Sequence, residues 1–112
     1  PDGDTIASAT ITLTLQTDFE ADNDSTWDVG LVNSAPASNT AIANGDYDAV
    51  GDAINNPTEF ASRVAASAFT LGAPNNWTLN ANGLTNITKT GVSKFGFRMA
   101  GDMDDDNGCS TG

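Results

Sequence analysis

The sequence predicts an all-β protein, an antiparallel β-sandwich with one short helix. The first observation is that apolar residues alternate with polar ones over several stretches, which is the period of a half-buried strand. The second is that Thr, Asn, Asp, Ser, Ala and Gly dominate the composition. Such a composition favours short strands joined by polar turns over long helices. The 112 residues are expected to form a single domain, 1–112, with a modest core.

The first half of the chain supplies the clearest alternation. At 6–16, isoleucine and leucine alternate with threonine, and Trp27–Val32 repeats the pattern with Trp, Val and Leu on one face. Residues 39–51 look irregular, with room for one helical turn. Residues 58–64 are expected to form a third strand. A further short strand is expected at 67–71, because Gly72 and Pro74 follow too closely for a helix.

The segment 77–98 predicts a strand, a tight helical turn and a second strand. Trp77 and Leu79 lie on one face of the first strand. Asn80 is placed to cap a helix near 81–89, and Gly91 is expected to end it in the left-handed conformation. The second strand then places three apolar residues on one face: Phe95, Phe97 and Met99.

Four segments, in this order and spacing, resemble DNRLRE-type β-sandwich domains, a jelly-roll-like group found in secreted, cell-surface and phage-associated proteins. The segments are Pro1–Leu13, Gly45–Asp52, Trp77–Gly91 and Lys94–Arg98. The resemblance implies a jelly-roll-like sandwich and an extracellular, cell-surface or virion-surface location. Some members of the group are carbohydrate-binding modules, and no ligand residue carries over. Strands usually precede the first segment and follow the region near Cys109, so the chain is expected to be a fragment or to receive strands from a neighbour.

Charge narrows the classes of partner. Fifteen acidic residues against four basic ones give a net charge of −11. A nucleic-acid partner is disfavoured, because phosphate binding needs a basic surface, and an anionic membrane is disfavoured for the same reason. An acidic surface suits divalent cations, high-salt surroundings or plain solubility. No apolar run reaches the roughly 20 residues that a membrane span needs, so membrane insertion is not expected.

The sequence Gly101–Gly108, GDMDDDNG, is the sharpest candidate metal site. Asp102, Asp104 and Asp106 alternate, so their carboxylates can converge on one hard cation, and Asp105 adds a fourth acid. The spacing of Gly108 does not match an EF-hand loop. A structural Ca²⁺ is therefore one interpretation, and a solvated acidic loop is the other. A weaker second group of acids comprises Asp22, Asp24, Asp46 and Asp48.

The sequence also contains candidate residues for binding a sugar ligand and for N-glycosylation. Sugar rings stack on exposed aromatic side chains, and three aromatics look free enough for that role: Phe19, Tyr47 and Trp77. For Tyr47 the alternative is that it anchors the edge of the core while its two neighbouring aspartates face solvent. N-glycosylation sequons begin at three asparagines: Asn23, Asn76 and Asn86.

Catalysis has little support, since the chain has no histidine and a single cysteine, Cys109. That cysteine can pair with a residue outside the chain, pair between subunits or stay free. We therefore expect no enzymatic activity. The prediction is a non-catalytic extracellular assembly module, such as a virion decoration or fibre domain or a filament subunit, acting on other protein chains through edge strands. The alternative is a carbohydrate-binding module.

Overall fold

The computed structural model describes residues 3–16 and 28–105. Over these residues the chain forms five strands and two short α-helices. In order these are β1 (Thr10–Thr14), β2 (Asp28–Asn33), β3 (Val64–Ala65), β4 (Pro74–Thr78), α1 (Ala81–Thr85), β5 (Phe95–Met99) and α2 (Ala100–Met103). Short 3₁₀ helices cover Asn44–Ala49 and Ala66–Ala68. No helix in the described ranges has the length and hydropathy that crossing a membrane requires.

The strands form two antiparallel sheets, which agrees with a β-rich fold. The first sheet pairs β1 with β4, with Ile11 opposite Trp77 and Thr12 opposite Asn76. The second sheet has the order β3-β2-β5, with Leu31 opposite Phe97. Strands distant in sequence are neighbours in both sheets, so the sheets depend on long-range packing rather than on hairpin turns.

Trp77 lies at the centre of the core, between the two sheets. It is only 2% exposed, and its ring meets that of Phe97 on β5 at a centroid distance of 4.8 Å. The Trp77 Nε1–H donates to the backbone oxygen of Val29 on β2 over 3.0 Å. The Phe69 ring also packs against Trp77, at a centroid distance of 5.8 Å. One side chain from the two-stranded sheet therefore contacts two strands of the three-stranded sheet.

The helix α1 begins as the sequence predicts and ends earlier. Asn80 accepts a hydrogen bond from the Gly83 amide over 3.0 Å, which confirms it as the N-cap. The helix ends at Thr85, and beyond it the Asn86 side chain donates to Lys94 O. Gly91 is not left-handed; among described glycines only Gly51 and Gly72 have positive φ. The predictions of a helix to 89 and of a Gly91 cap are therefore wrong.

The middle of the chain departs furthest from the predicted strands. Phe60 and Ala61 are both buried, so strict alternation fails across 58–64, and only isolated bridges form at Glu59 and Ala61 before β3. A 3₁₀ helix at Ala66–Ala68 occupies the start of the predicted strand at 67–71. The predicted helical turn within 39–51 is confirmed by the 3₁₀ helix at Asn44–Ala49.

Candidate functional site

The open edge of β1 is the candidate functional site. Three backbone oxygens show which edge of β1 faces β4. Ala9 O accepts from Leu79 N, Leu13 O accepts from the Asn75 side chain, and Leu15 O accepts from Gly72 N. Backbone groups of successive strand residues point to opposite edges. The N–H and C=O groups of the even-numbered residues therefore point away from β4. These residues are Thr10, Thr12 and Thr14, and no strand in the described ranges pairs with them on that side.

The residues of β1 itself include neither of two features that commonly protect edge strands, charge and proline. Lysine, inward-pointing charge, proline or a bulge usually blocks the addition of a further strand. The sequence TITLT of β1 contains no charged residue and no proline. Leu13 on its core-facing side is 41% exposed, so the apolar face of this strand is only partly covered. As far as the described residues go, the outward hydrogen-bonding groups of β1 and the exposed part of Leu13 are open to an added strand.

The outer edge of β4 is protected. Pro74 lies at its start and has no N–H to offer. At its other end the chain near Phe60 runs alongside, since Asn80 N donates to Phe60 O and Ala61 bridges Leu79. Of the two edges of this sheet, only that of β1 is open along its length in the described part of the chain.

The outer edge of β5 carries charge. Arg98 lies within the strand and Lys94 directly precedes it. The Arg98 guanidinium binds Asp102 and donates to the backbone oxygens of Ala53 and Ile54 over 2.9 and 2.8 Å. A charged residue on an edge strand disfavours pairing with another chain. The β5 edge is therefore a weaker candidate than the β1 edge.

The charges of the protein lie outside the two-stranded sheet. Residues 5–16 and 64–88 contain no charged side chain, and they include all of β1 and β4. On the outer face of this sheet Thr12 Oγ1 donates to Asn76 Oδ1 over 2.7 Å. In a chain of net charge −11, this sheet is a neutral surface of hydroxyl and amide groups.

The predicted calcium ligands do not come together around one point in the described part of the chain. Asp102 pairs with Arg98, and Asp104 forms a two-pronged pair with Arg63. Across 3–16 and 28–105, no group of three or more acidic, histidine or cysteine side chains is placed to hold a metal. Asp106 lies outside the described residues. Calcium binding stays a prediction, and it would require Asp102 and Asp104 to leave their arginines.

Arg63 and Arg98 are the residues that sequence reasoning missed. Arg63 binds Glu59 and Asp104 together, which joins the segment before β3 to the end of α2, and these carboxylates raise its pKa, Asp104 more than Glu59. The Arg63 hydrogen bond in turn lowers the pKa of Asp104. The small number of basic residues could have pointed to these pairs. The chain has only four, so each acid spaced four residues from an arginine was a candidate partner.

Of the weaker acidic group, Asp46 has a structural role. Its two oxygens accept the backbone amides of Ala37 and Ala43 over 2.9 and 2.8 Å. These hydrogen bonds, Ala37 first, lower the pKa of Asp46 below its ordinary value of 3.8. Asp46 therefore ties the loop before the 3₁₀ helix to the helix start. Asp22 and Asp24 lie outside the described residues.

This lowered pKa predicts a pH-dependent effect. A carboxylate whose pKa is lower in the folded state stabilises the protein above its unfolded pKa, and the effect is lost as pH falls through the folded value. We expect Asp46→Asn to be less stable than the wild type at about pH 7, and the difference to narrow below about pH 4. Urea unfolding across this range measures it, with Asp48→Asn as the control for net charge. A difference that stays constant down to about pH 3 would contradict the role assigned to Asp46.

The three stacking candidates have different positions. Trp77 is buried in the core, so the prediction that it is free to stack on a ligand is wrong; its alternation marked it as a core residue. Tyr47 is 81% exposed, which overturns the alternative that it anchors the core and leaves it accessible. Phe19 lies outside the described residues. Among the described residues, the structure thus brings no two of these aromatics together.

A shallow cleft of about 460 Å³ lies between the loop 34–42 and the start of β5. Polar side chains line much of it, including Ser38, Asn39 and Ser93. Two apolar side chains at its rim, Ile42 and Val92, are 98% and 60% exposed. Tyr47 is not among the lining residues, so the cleft and the accessible aromatic candidate form separate features.

Two sequon asparagines are described, and they differ in accessibility. Asn76 is exposed on the outer face of β4. Asn86 is half-buried, and its side-chain amide donates to Lys94 O over 2.8 Å. Asn23 and Cys109 lie outside the described residues. Of the two described asparagines, Asn76 is the more accessible to a glycosylating enzyme.

No family model matches the chain, and no match was found among the curated proteins or the solved structures. The fold and the site define a small β-rich domain of two antiparallel sheets, one of which has an edge strand, β1, that no other strand of 3–16 and 28–105 pairs with on its outer side.

Proposed function

We propose that this protein is a non-catalytic assembly module that joins other protein chains by accepting a strand at the β1 edge. The observation that carries the proposal is the outward row of backbone groups at Thr10, Thr12 and Thr14, on a strand with neither charge nor proline. An added strand gains affinity from main-chain hydrogen bonds and specificity from alternate side chains.

The small number of strands in the β1–β4 sheet supports this function. A two-stranded sheet is marginally stable by itself, and three or more strands with an apolar face are usual. An added strand beside β1 would widen the sheet and cover Leu13, which is 41% exposed. The added strand can come from another chain or from a longer polypeptide that contains this one, and in both cases the edge acts as the acceptor.

The finer architecture belongs to the same proposal. We propose a jelly-roll-like sandwich that becomes complete when further strands join it, and the contact between Trp77 and Phe97 across the two sheets supports it. The location in this proposal is the one that the family resemblance implies: outside the cell, on a cell surface or on a virion. A calcium ion held by Asp102, Asp104, Asp105 and Asp106 would add rigidity at the end of α2, once the first two carboxylates leave their arginines.

A strand-addition experiment tests the function. The probe is a short synthetic peptide of alternating threonine and valine, titrated into the full chain by calorimetry. We expect binding to the wild type and loss of binding to Thr12→Pro, because proline removes an outward N–H. The Thr12 N–H points away from β4, so this change removes no existing ladder hydrogen bond.

Two controls make the result decisive. The same peptide with methylated amides on alternate residues lacks donors along one edge and should bind more weakly. Circular dichroism establishes that Thr12→Pro retains the fold. Equal binding of the peptide to the wild type and to a folded Thr12→Pro would refute strand acceptance at β1.

Carbohydrate binding is a second candidate, and the cleft between 34–42 and β5 favours it. Hydroxyl and amide side chains line this cleft, and such groups recognise sugar hydroxyls. Among the described stacking candidates, Tyr47 is the exposed one. Screening against an array of glycans, with Ser38→Ala and Tyr47→Ala as variants, tests this function. Loss of binding in Ser38→Ala would support the cleft as the sugar site.

A further inference from the structure

We infer that the strand accepted at the β1 edge is β1 of a second copy of this chain, paired antiparallel about Thr12. The inference rests on the proposed function and names its partner. It follows from the order of residues in TITLT, from the direction of their backbone groups and from the distribution of charge.

The backbone directions are self-complementary. Antiparallel pairing about Thr12 places Thr12 opposite its own copy and Thr10 opposite the Thr14 of that copy. Each of these residues directs its N–H and C=O outward, so all three positions become hydrogen-bonded pairs. The pairing forms about six backbone hydrogen bonds between the two copies. Shifting the register by two residues leaves fewer of these pairs within β1.

The side chains also match in this register. Ile11 and Leu13 share the core-facing side of β1, and each lies opposite the other residue in the second copy. The exposed part of Leu13 is then covered by an isoleucine. On the outer face Thr12 meets Thr12, a cross-strand pair that stabilises sheets. The two-stranded sheets of the two copies join into one four-stranded sheet with the order β4-β1-β1-β4.

Electrostatics favours this surface over others for contact between two copies. Each copy has a net charge of −11, so most approaches bring like charges together. The strand that meets its copy, β1, lies within the uncharged range 5–16, and its neighbour β4 lies within the uncharged range 64–88. The contact is isologous, since the same patch serves on both copies, and it closes as a two-fold dimer.

Cysteine cross-linking tests the register, in the full chain with Cys109→Ser so that the native thiol does not contribute. Opposite residues of a hydrogen-bonded pair have Cα atoms about 5.5 Å apart, within disulfide range. Thr12→Cys should therefore form a disulfide-linked dimer under mild oxidation. Thr10→Cys alone should not, because the two copies of residue 10 lie about 14 Å apart along the strands. A mixture of Thr10→Cys and Thr14→Cys should form the mixed dimer.

The matched control is Thr78→Cys, an exposed threonine on the same face of the partner strand β4. We expect it to form no disulfide-linked dimer under the same conditions. Cross-linking of Thr10→Cys to itself, or no cross-linking of Thr12→Cys, would overturn self-pairing. If the threonine–valine peptide still binds in that case, strand acceptance stands and its partner is a different chain. If the peptide also fails to bind, both proposals are wrong.

Discussion

Replacing Trp77 by alanine is expected to remove a large share of the protein's folding stability. The side chain is 2% exposed and contacts the rings of Phe69 and Phe97. Removing a buried tryptophan costs about 3–5 kcal/mol, and a small domain has only about 5–15 kcal/mol of stability in total. Losing the Nε1–H donor also leaves the backbone oxygen of Val29 without this partner. Urea unfolding followed by circular dichroism measures the loss.

Trp77→Phe is the matched control. It keeps an aromatic ring between the sheets and removes the hydrogen bond to Val29, which is worth about 1 kcal/mol. We expect a folded protein with a smaller loss of stability than in Trp77→Ala. If Trp77→Ala lost no more than Trp77→Phe, Trp77 would not be the contact that holds the two sheets together.

Replacing Gly83 by alanine is expected to destabilise the protein, although alanine is the better helix former by about 1 kcal/mol. A Cβ atom at Gly83 would lie 2.5 Å from the backbone oxygen of Phe60 and 3.1 Å from Leu79 Cβ. Backbone cannot rotate away as a flexible side chain can. Overpacking of this kind costs about 1–3 kcal/mol, which exceeds the gain in helix propensity. Thermal or urea unfolding measures the net change.

Gly45→Ala is the opposite case in the same protein. Gly45 lies in the 3₁₀ helix Asn44–Ala49, and an alanine Cβ at this position would have no described neighbour within 4 Å. We expect this variant to be unchanged or more stable by up to about 1 kcal/mol, because alanine has less freedom in the unfolded chain. Stabilisation by Gly83→Ala equal to that by Gly45→Ala would contradict the close approach of α1 to Phe60.

Local patterns predicted the parts of the fold in which one face of a strand is buried. The alternation around Ile11 and Phe97 predicts strands that contain β1 and β5, whereas the strand predicted to begin at Trp77 overlaps β4 only at Trp77 and Thr78. The N-cap at Asn80 was also correct, since a side-chain acceptor at a helix start is a local interaction. Alternation failed at Phe60 and Ala61, because both residues are buried by contacts distant in sequence.

The helix α2 was not predicted, because it depends on contacts between residues that are distant in sequence. The pattern of aspartates at 102–106 resembled a cation loop, whereas Met103 is fully buried and faces Gly30 of β2. Arg98 and Arg63 then take Asp102 and Asp104 as partners. A single methionine among acids gives no periodic signal, so its burial could not be inferred from the sequence.

The sequence predicted the type of candidate site but not its position in the fold. The sequence analysis predicted assembly through edge strands, without saying which edge. The open one follows from the pairing of β1 with β4 and from Pro74 on the far side of β4. The uncharged range 64–88 was visible in the sequence, and it acquires meaning only when β4 is placed beside β1.

Residue-resolved amide hydrogen exchange of β1, with and without the threonine–valine peptide, tests strand acceptance most directly. In the free chain, diluted until it is monomeric, we expect Ile11 and Leu13 to be protected, because their amides face β4, and Thr10, Thr12 and Thr14 to exchange quickly. Saturating peptide should protect the three threonine amides and leave the other two as they were. Unchanged exchange at all three threonines in the presence of bound peptide would contradict strand addition at this edge.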